Sequence, residues 1–283
     1  MTLNLETWAD ISDYQNHRPG NDTWRPISFD KMRDAGAVGV AIRKSLGKVH
    51  DPSFERNWVA AGAAGLKRTI YWVPYVNFDM VPQLKVAGEW PSGGVFDEHL
   101  DIPAWVDVER RPIVPAWRVL PRLMQALNWT KAFFGVAEIY TAQSVWDTYY
   151  SRKLGWWKDW ELVVANYQPQ LYHLATHVLK SAVATQGISP AAPIGWRLGD
   201  NGRVLPSEKQ WRQWQISADG NGQGPAFGVN SAAIDISFRQ IRTDPEQPPD
   251  KMVELREAFG ELRMLHNRET EVLAEIAAEL GVT

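Results

Sequence analysis

Short apolar runs recur along the chain, most of them alternating or continuous over six to nine residues. TWADIS (7–12), VGVAIRKS (38–45), RTIYWVPYV (68–76), IPAWVDVE (102–109), GVAEIYTA (135–142), ELVVANY (161–167), WRQWQIS (211–217) and AAIDISF (232–238) read as strands. Segments with a helical apolar period lie between several of them, at 28–36, 52–65, 116–133 and 144–154. Strands alternating with helices, without a glycine-rich dinucleotide loop, predict a parallel α/β barrel of the TIM type rather than a doubly wound sheet.

PAWVDVERRP (103–112) is the stretch with the most chemistry. Alternation puts Trp105, Asp107 and Glu109 on one face of a strand and Ala104, Val106 and Val108 on the other. Two carboxylates so close repel, so one should hold its proton above the usual pH unless a cation or solvent intervenes. A protonated carboxyl beside an ionised one is the equipment for acid/base cleavage of a glycosidic bond. The pattern is equally that of a strand end whose acids are solvated or paired with Arg110 and Arg111. Barrel enzymes place functional side chains at the C-terminal ends of strands, where this pair falls. Asp10, in the first strand, and Asp235, between Ile234 and Ile236 in the last, are two further acids suited to a barrel mouth, although each alone resembles a surface acid. Asp200, in GDNG, is a turn residue.

Composition narrows the function classes. A formal net charge of -3 gives no electrostatic case for nucleic acid or an anionic membrane. The chain has no cysteine, hence no disulfide or thiolate chemistry. No apolar run is long enough to cross a bilayer, and MTLNLETWADISDY lacks the segments of a signal peptide, so secretion by the standard route is not expected. The 15 Trp and 8 Tyr suit either a core or a surface on which sugar rings stack.

Taken in order, these segments resemble the glycoside hydrolase family 25 lysozymes, the N-acetylmuramidases of bacteria, fungi and phages. ADISDYQ is similar to that family's first-strand motif. The block 35–72 is similar to its second, keeping Lys44, Gly47, Asp51, Phe54, Asn57, Ala64 to Leu66 and Tyr71. IPAWVDVE resembles the Asp-x-Glu strand, EIYTAQSVW the Tyr-Thr strand, VVANY the sixth strand, and 211–238 the closing Trp-Gln block. The likeness runs collinearly from about residue 7 to 240. It implies a TIM-like (β/α) barrel, with Glu109 as the general acid for the β-1,4 bond after N-acetylmuramic acid and Asp107 as its partner. Asp10 and Asp235 would line the same cleft, and Tyr71, Tyr140, Tyr167 and Trp214 are candidates for sugar contacts or barrel core. The family's retaining chemistry implies that the substrate's own acetamido group is the nucleophile. Residues two apart on a strand lie about 6.5–7 Å apart, wider than the roughly 5–5.5 Å of ordinary retaining pairs, and substrate assistance removes that conflict. No metal or organic cofactor is implied.

Three segments depart from the family. About forty residues, 168–210, separate the sixth strand from the Trp-Gln strand and are expected to form a flap over the cleft or a contact surface. Within them His173 and His177 have a metal-ligating spacing but no carboxylate or cysteine nearby. NHRPGNDTWRP, after the first strand, is longer than usual. The third departure is the end of the chain, where a Pro-rich linker (244–250) leads to an amphipathic segment, 251–283. There Met252, Leu255, Phe259, Leu262, Leu273, Ile276 and Leu280 follow coiled-coil spacing, interrupted by His266 and Glu269. The expected domains are therefore a barrel over 1–243 and a C-terminal helix that joins copies of the chain through 252–280 or docks on a phage structural protein. Two functions fit. One is a phage-encoded muramidase acting on peptidoglycan glycan strands, released by a holin from the host cytoplasm or carried on the virion. The other is a structural or wall-binding component of a phage particle, with little or no catalysis.

Overall fold

The computed structural model describes residues 3–17, 23–89, 104–150, 160–167, 176–186, 190, 192, 196, 210–217 and 223–241. The chain divides into two compact units, Met1–Arg242 and Thr243–Thr283. The linker and the helix expected over 251–283 lie outside the described residues.

In chain order the first unit comprises β1 (Leu5–Ile11), α1 (Phe29–Asp34), β2 (Gly39–Leu46), β3 (Val49–His50), α2 (Phe54–Ala63), β4 (Lys67–Val73), α3 (Val81–Gly88) and β5 (Ala104–Asp107). It continues with α4 (Ala116–Phe134), β6 (Ala137–Ala142), α5 (Gln143–Tyr149), β7 (Glu161–Ala165), α6 (Thr176–Gln186), β8 (Gln213–Ser217) and β9 (Asp235–Gln240). Eight strands form a closed ring in the order β1-β9-β8-β7-β6-β5-β4-β2, with β2 returning to β1 and β3 a short hairpin on β2. All eight predicted strands are present, displaced by a few residues at their ends.

The ring is mixed, which corrects the expectation of an all-parallel barrel. β9 runs antiparallel to both β8 and β1. Parallel neighbours need a crossover connection, usually helical, whereas antiparallel ones do not. The described part of the β8–β9 connection, 223–234, is turns and bends without a helix, and the Asn230 N–H donates to Gln15 O at 2.9 Å, which ties it to the loop after β1. The same rule bears on 168–210, expected as a flap or a contact surface, most of which lies outside the described residues. β7 and β8 are parallel, and α6 lies in the crossover between them. Val183 of α6 is fully buried in the outer core, and Ala184 O accepts the backbone N–H of Leu3 at 3.0 Å. Further along the same connection Trp196 donates its indole N–H to Trp160 O at 2.8 Å.

Two apolar layers pack the strands' outer faces against the helices. One contains Val106, Val108, Leu123, Leu127 and Trp214; the other contains Ile42, Trp58, Ile70 and Ile236. Trp8, Trp58, Trp72, Trp105, Trp146, Trp211 and Trp214 all fall below 2% exposure, so core packing accounts for much of the tryptophan content. Inside the ring, toward its floor, the Trp8 indole fills the space beside Gly39, its cross-strand partner. A Cβ at Gly39 would sit 2.5 Å from the ring. Beside it, Arg239 of β9 makes a bidentate pair with Glu138 of β6, at 2.6 and 2.9 Å, and also donates to Gln213 at 3.2 Å. Both charged side chains are buried, so each is tolerated only because the other is present. Glu138→Gln should therefore destabilise the protein by about 3–5 kcal/mol in urea denaturation at neutral pH, the scale for an uncompensated buried charge. A loss below 1 kcal/mol would mean that water reaches Arg239.

Candidate active site

At the rim opposite this floor the inward alternation of the strands brings four acids together. β5 directs Trp105 and Asp107 inward and Ala104, Val106 and Val108 outward, as predicted. Regular pairing ends at Asp107, yet the backbone stays extended one residue further. Val108 donates its N–H to Tyr140 O at 2.8 Å, and its carbonyl accepts the Thr141 hydroxyl at 2.8 Å. Glu109 is therefore set on a pinned backbone. Its own N–H is hydrogen-bonded to the Asp107 carboxylate. Asp10, one residue before the end of β1, lies directly opposite Asp235, the first residue of β9. Asp235 thus reaches the mouth from the N-terminal end of an antiparallel strand, not from a strand's C-terminal end.

Like charges brought together and shielded from water resist ionisation. Burial, then the charges of Asp235 and Asp107, push Asp10 well above the usual carboxylate range, against a hydrogen bond from Tyr71 and the charge of Arg43. Asp107 is also raised, by burial and then by Glu109, with Arg110 and Arg43 opposing. Glu109 is pushed up to about 7 by burial and then by Asp235, against Arg110. It therefore titrates near neutrality. Asp107 Oδ1 is buried, with no hydrogen-bond donor among the described residues.

The four predicted contact aromatics separate. Tyr71 bonds Asp10, while Tyr140 donates to Gln215 Oε1 and lies stacked 5.9 Å from Trp105. Tyr167 is 42% exposed at the mouth and hydrogen-bonded to Tyr140. Trp214 is a correction. It is fully buried on the outward face of β8 and donates its indole N–H to Asn166 O at 2.8 Å, so it offers no face to a sugar. Its neighbours Gln213 and Gln215 point inward instead.

Arg43 is a site residue the sequence reading passed over. Its charge acts on both Asp10 and Asp107, and Asp51 fixes its Nε at 2.8 Å. Asp51 also accepts the backbone N–H groups of Asp13 and Ser53, each at 3.0 Å, and so joins the loop after β1 to the start of α2. The signal was available, since Arg43 alternates with Ala41 in a strand whose other face is apolar. Lys44, kept in the family-like block, points the other way. It packs 4.5 Å from the Phe54 ring, donates to Glu89 O, and is lowered by burial to about 8. Among the described residues no group of three His, Asp or Glu could hold a metal, and no helix is long and apolar enough to cross a membrane. His173 lies outside the described residues, and His177 is exposed on α6.

No family model and no curated protein matches the sequence. Solved structures do match. A lysozyme from Streptomyces coelicolor is 19% identical, with a TM-score of 0.57 over 82% of this chain and 90% of its own. A family 25 glycosyl hydrolase from Bacillus anthracis is 13% identical, with a TM-score of 0.57 over 84% and 90%. The catalytic domain of an endolysin from a bacteriophage of Listeria monocytogenes is 15% identical, with a TM-score of 0.53 over 90% and 97%. The chain has the fold of the family 25 lysozymes.

The raised acids have a consequence for stability. A carboxyl whose folded value lies above its unfolded one stabilises fully below the unfolded value, roughly 4.3, and loses that contribution as pH rises through the folded value. With Glu109 near 7, stability should fall between about pH 4.5 and 7. Glu109→Gln should flatten part of that slope and raise the melting temperature at pH 7 by a few degrees, read by calorimetry across pH. An unchanged slope would place Glu109 in open solvent.

Proposed function

We propose that this chain is a glycoside hydrolase that cuts the β-1,4 bond after N-acetylmuramic acid in peptidoglycan. The observation that carries the reading is the Glu109 carboxyl, held at a barrel mouth among three other acids and shifted to about 7. A general acid works best when its pKa lies near the working pH. The lysozyme and endolysin fold neighbours support peptidoglycan as the polymer.

In this reading Glu109 gives its proton to the leaving glycosidic oxygen as the bond to C1 breaks. The largest charge opposing ionisation of Asp107 is that of Glu109, so a proton on Glu109 leaves Arg43 and Arg110 to favour the Asp107 carboxylate. Asp107 Oδ1 then accepts the N–H of the substrate's acetamido group, whose carbonyl oxygen attacks C1 from the opposite face. Glu109, now ionised, removes a proton from water as that water opens the cyclic intermediate, so the configuration at C1 is retained. Asp10 is raised by burial and its acidic neighbours, and the Tyr71 hydroxyl, itself raised by burial, hydrogen-bonds it.

Purified peptidoglycan should lose turbidity and release reducing ends when treated with the protein. Glu109→Gln should lower that rate by about 10² or more while leaving the protein folded, and Asp107→Asn should also impair it. Early-time NMR should show retained product. An inverted product would require a water-activating base in place of the acetamido group, and near-normal turnover by Glu109→Gln would remove Glu109 as the acid.

A further inference from the structure

The chain beyond Glu109 carries a charge pattern that the four acids do not explain. From Arg110 to Ala137 there are four arginines and one lysine and no acid, in a chain of net charge -3. Arg110, Arg111 and Arg118 are exposed, and only Arg110 acts on the site acids, without a direct ion pair among the described residues. Large apolar side chains stand beside them, with Phe78 59%, Ile113 79% and Trp117 69% exposed. Arg110 lies 5.3 Å from the Tyr75 ring, and Arg118 lies 4.7 Å from that of Trp117.

The loop that holds this surface is built. Asn77, in the turn after β4, accepts the backbone N–H groups of Ile113 and Val114 at 2.6 and 3.3 Å and donates to Arg111 O at 3.2 Å. The Tyr150 hydroxyl donates to Arg110 O at 2.5 Å. Side-chain bonds from two other segments thus fix a loop that leaves its apolar and cationic groups facing water. Fixed, exposed apolar groups rimmed by charge mark an interaction surface. The surface starts at Glu109, close enough for Arg110 to lower both Glu109 and Asp107.

We infer that this arginine–aromatic rim binds the peptide substituents of the glycan, taking their carboxylates on Arg111 and Arg118 and their alanine methyls against Ile113 and Phe78. The inference rests on the reading of the site as a peptidoglycan hydrolase. The sugar backbone is neutral, and the peptide carried by each muramic acid supplies the negative charge. An acidic cleft repels that charge, and a cationic rim at its edge offsets the repulsion.

The test measures two things with wild type and with Arg111→Gln/Arg118→Gln, neither residue being among the acids or their contacts. The first is the binding of a soluble disaccharide-peptide and of the same disaccharide with its lactyl carboxyl capped as the simple amide, which removes the peptide without adding a charge, by titration calorimetry. The second is the cleavage of glycan strands that carry peptides and of strands whose lactyl groups are capped in the same way. Wild type should bind the peptide-bearing fragment more tightly. The double variant should lose about five- to tenfold in that affinity, the scale of two partly exposed ion pairs, and raise KM only for peptide-bearing strands. Equal binding of the two fragments by wild type, or equal losses on both, overturns the inference, as does tighter binding of a glycerol-phosphate polymer than of the disaccharide-peptide. If wild type cleaves neither substrate, the hydrolase reading falls, and the calorimetry still decides whether the rim selects peptides.

Discussion

β9 closes the ring by running against both of its neighbours, and the mouth depends on that reversal. Had the last strand been parallel, its first residue would lie at the floor, and Asp235 would be a full strand length from Asp10. Running antiparallel, β9 places Asp235 in register with Asp10 at one end and Arg239 beside Glu138 at the other. One short strand therefore supplies an acid to the rim and a compensating cation to the interior.

The two ends of the barrel treat buried charge in opposite ways. At the floor Glu138 and Arg239 neutralise one another through two hydrogen bonds, with Gln213 completing the set. At the rim four carboxylates face Arg43 and Arg110, and burial with mutual repulsion raises Asp10, Asp107 and Glu109. A raised carboxyl is a destabilised anion, and the fold tolerates several because the apolar layers outside the ring are extensive. Asp51 has a supporting part, since it keeps the Arg43 guanidinium from turning out to water.

Much of this was legible in the sequence. The period of the apolar residues placed all eight ring strands, and alternation alone put Asp107 and Glu109 on one face. Strand direction was not legible from apolar periodicity, because a buried strand reads alike both ways. The glycine-rich stretch before Asp235, which has no helical period, was the usable sign of an antiparallel return. Trp214 stayed open between sugar contact and barrel core because both faces of a barrel strand are buried, one by the interior and one by the helices. Its inward neighbours Gln213 and Gln215 were the better guide, since polar residues in a buried strand mark the interior. Of residues 168–210, the part that is described includes α6, which lies in the crossover that the parallel pairing of β7 and β8 requires.

Gly39 and Trp8 carry one more implication. The indole occupies the space that a side chain at position 39 would need, so even Gly39→Ala would push the ring from its place between the strands. Trp8 also lies 6.0 Å from the Arg239 guanidinium, so a displaced indole would disturb the buried pair that ties β9 to β6. Two residues far from the acids therefore bear on how firmly the strand that begins with Asp235 is held.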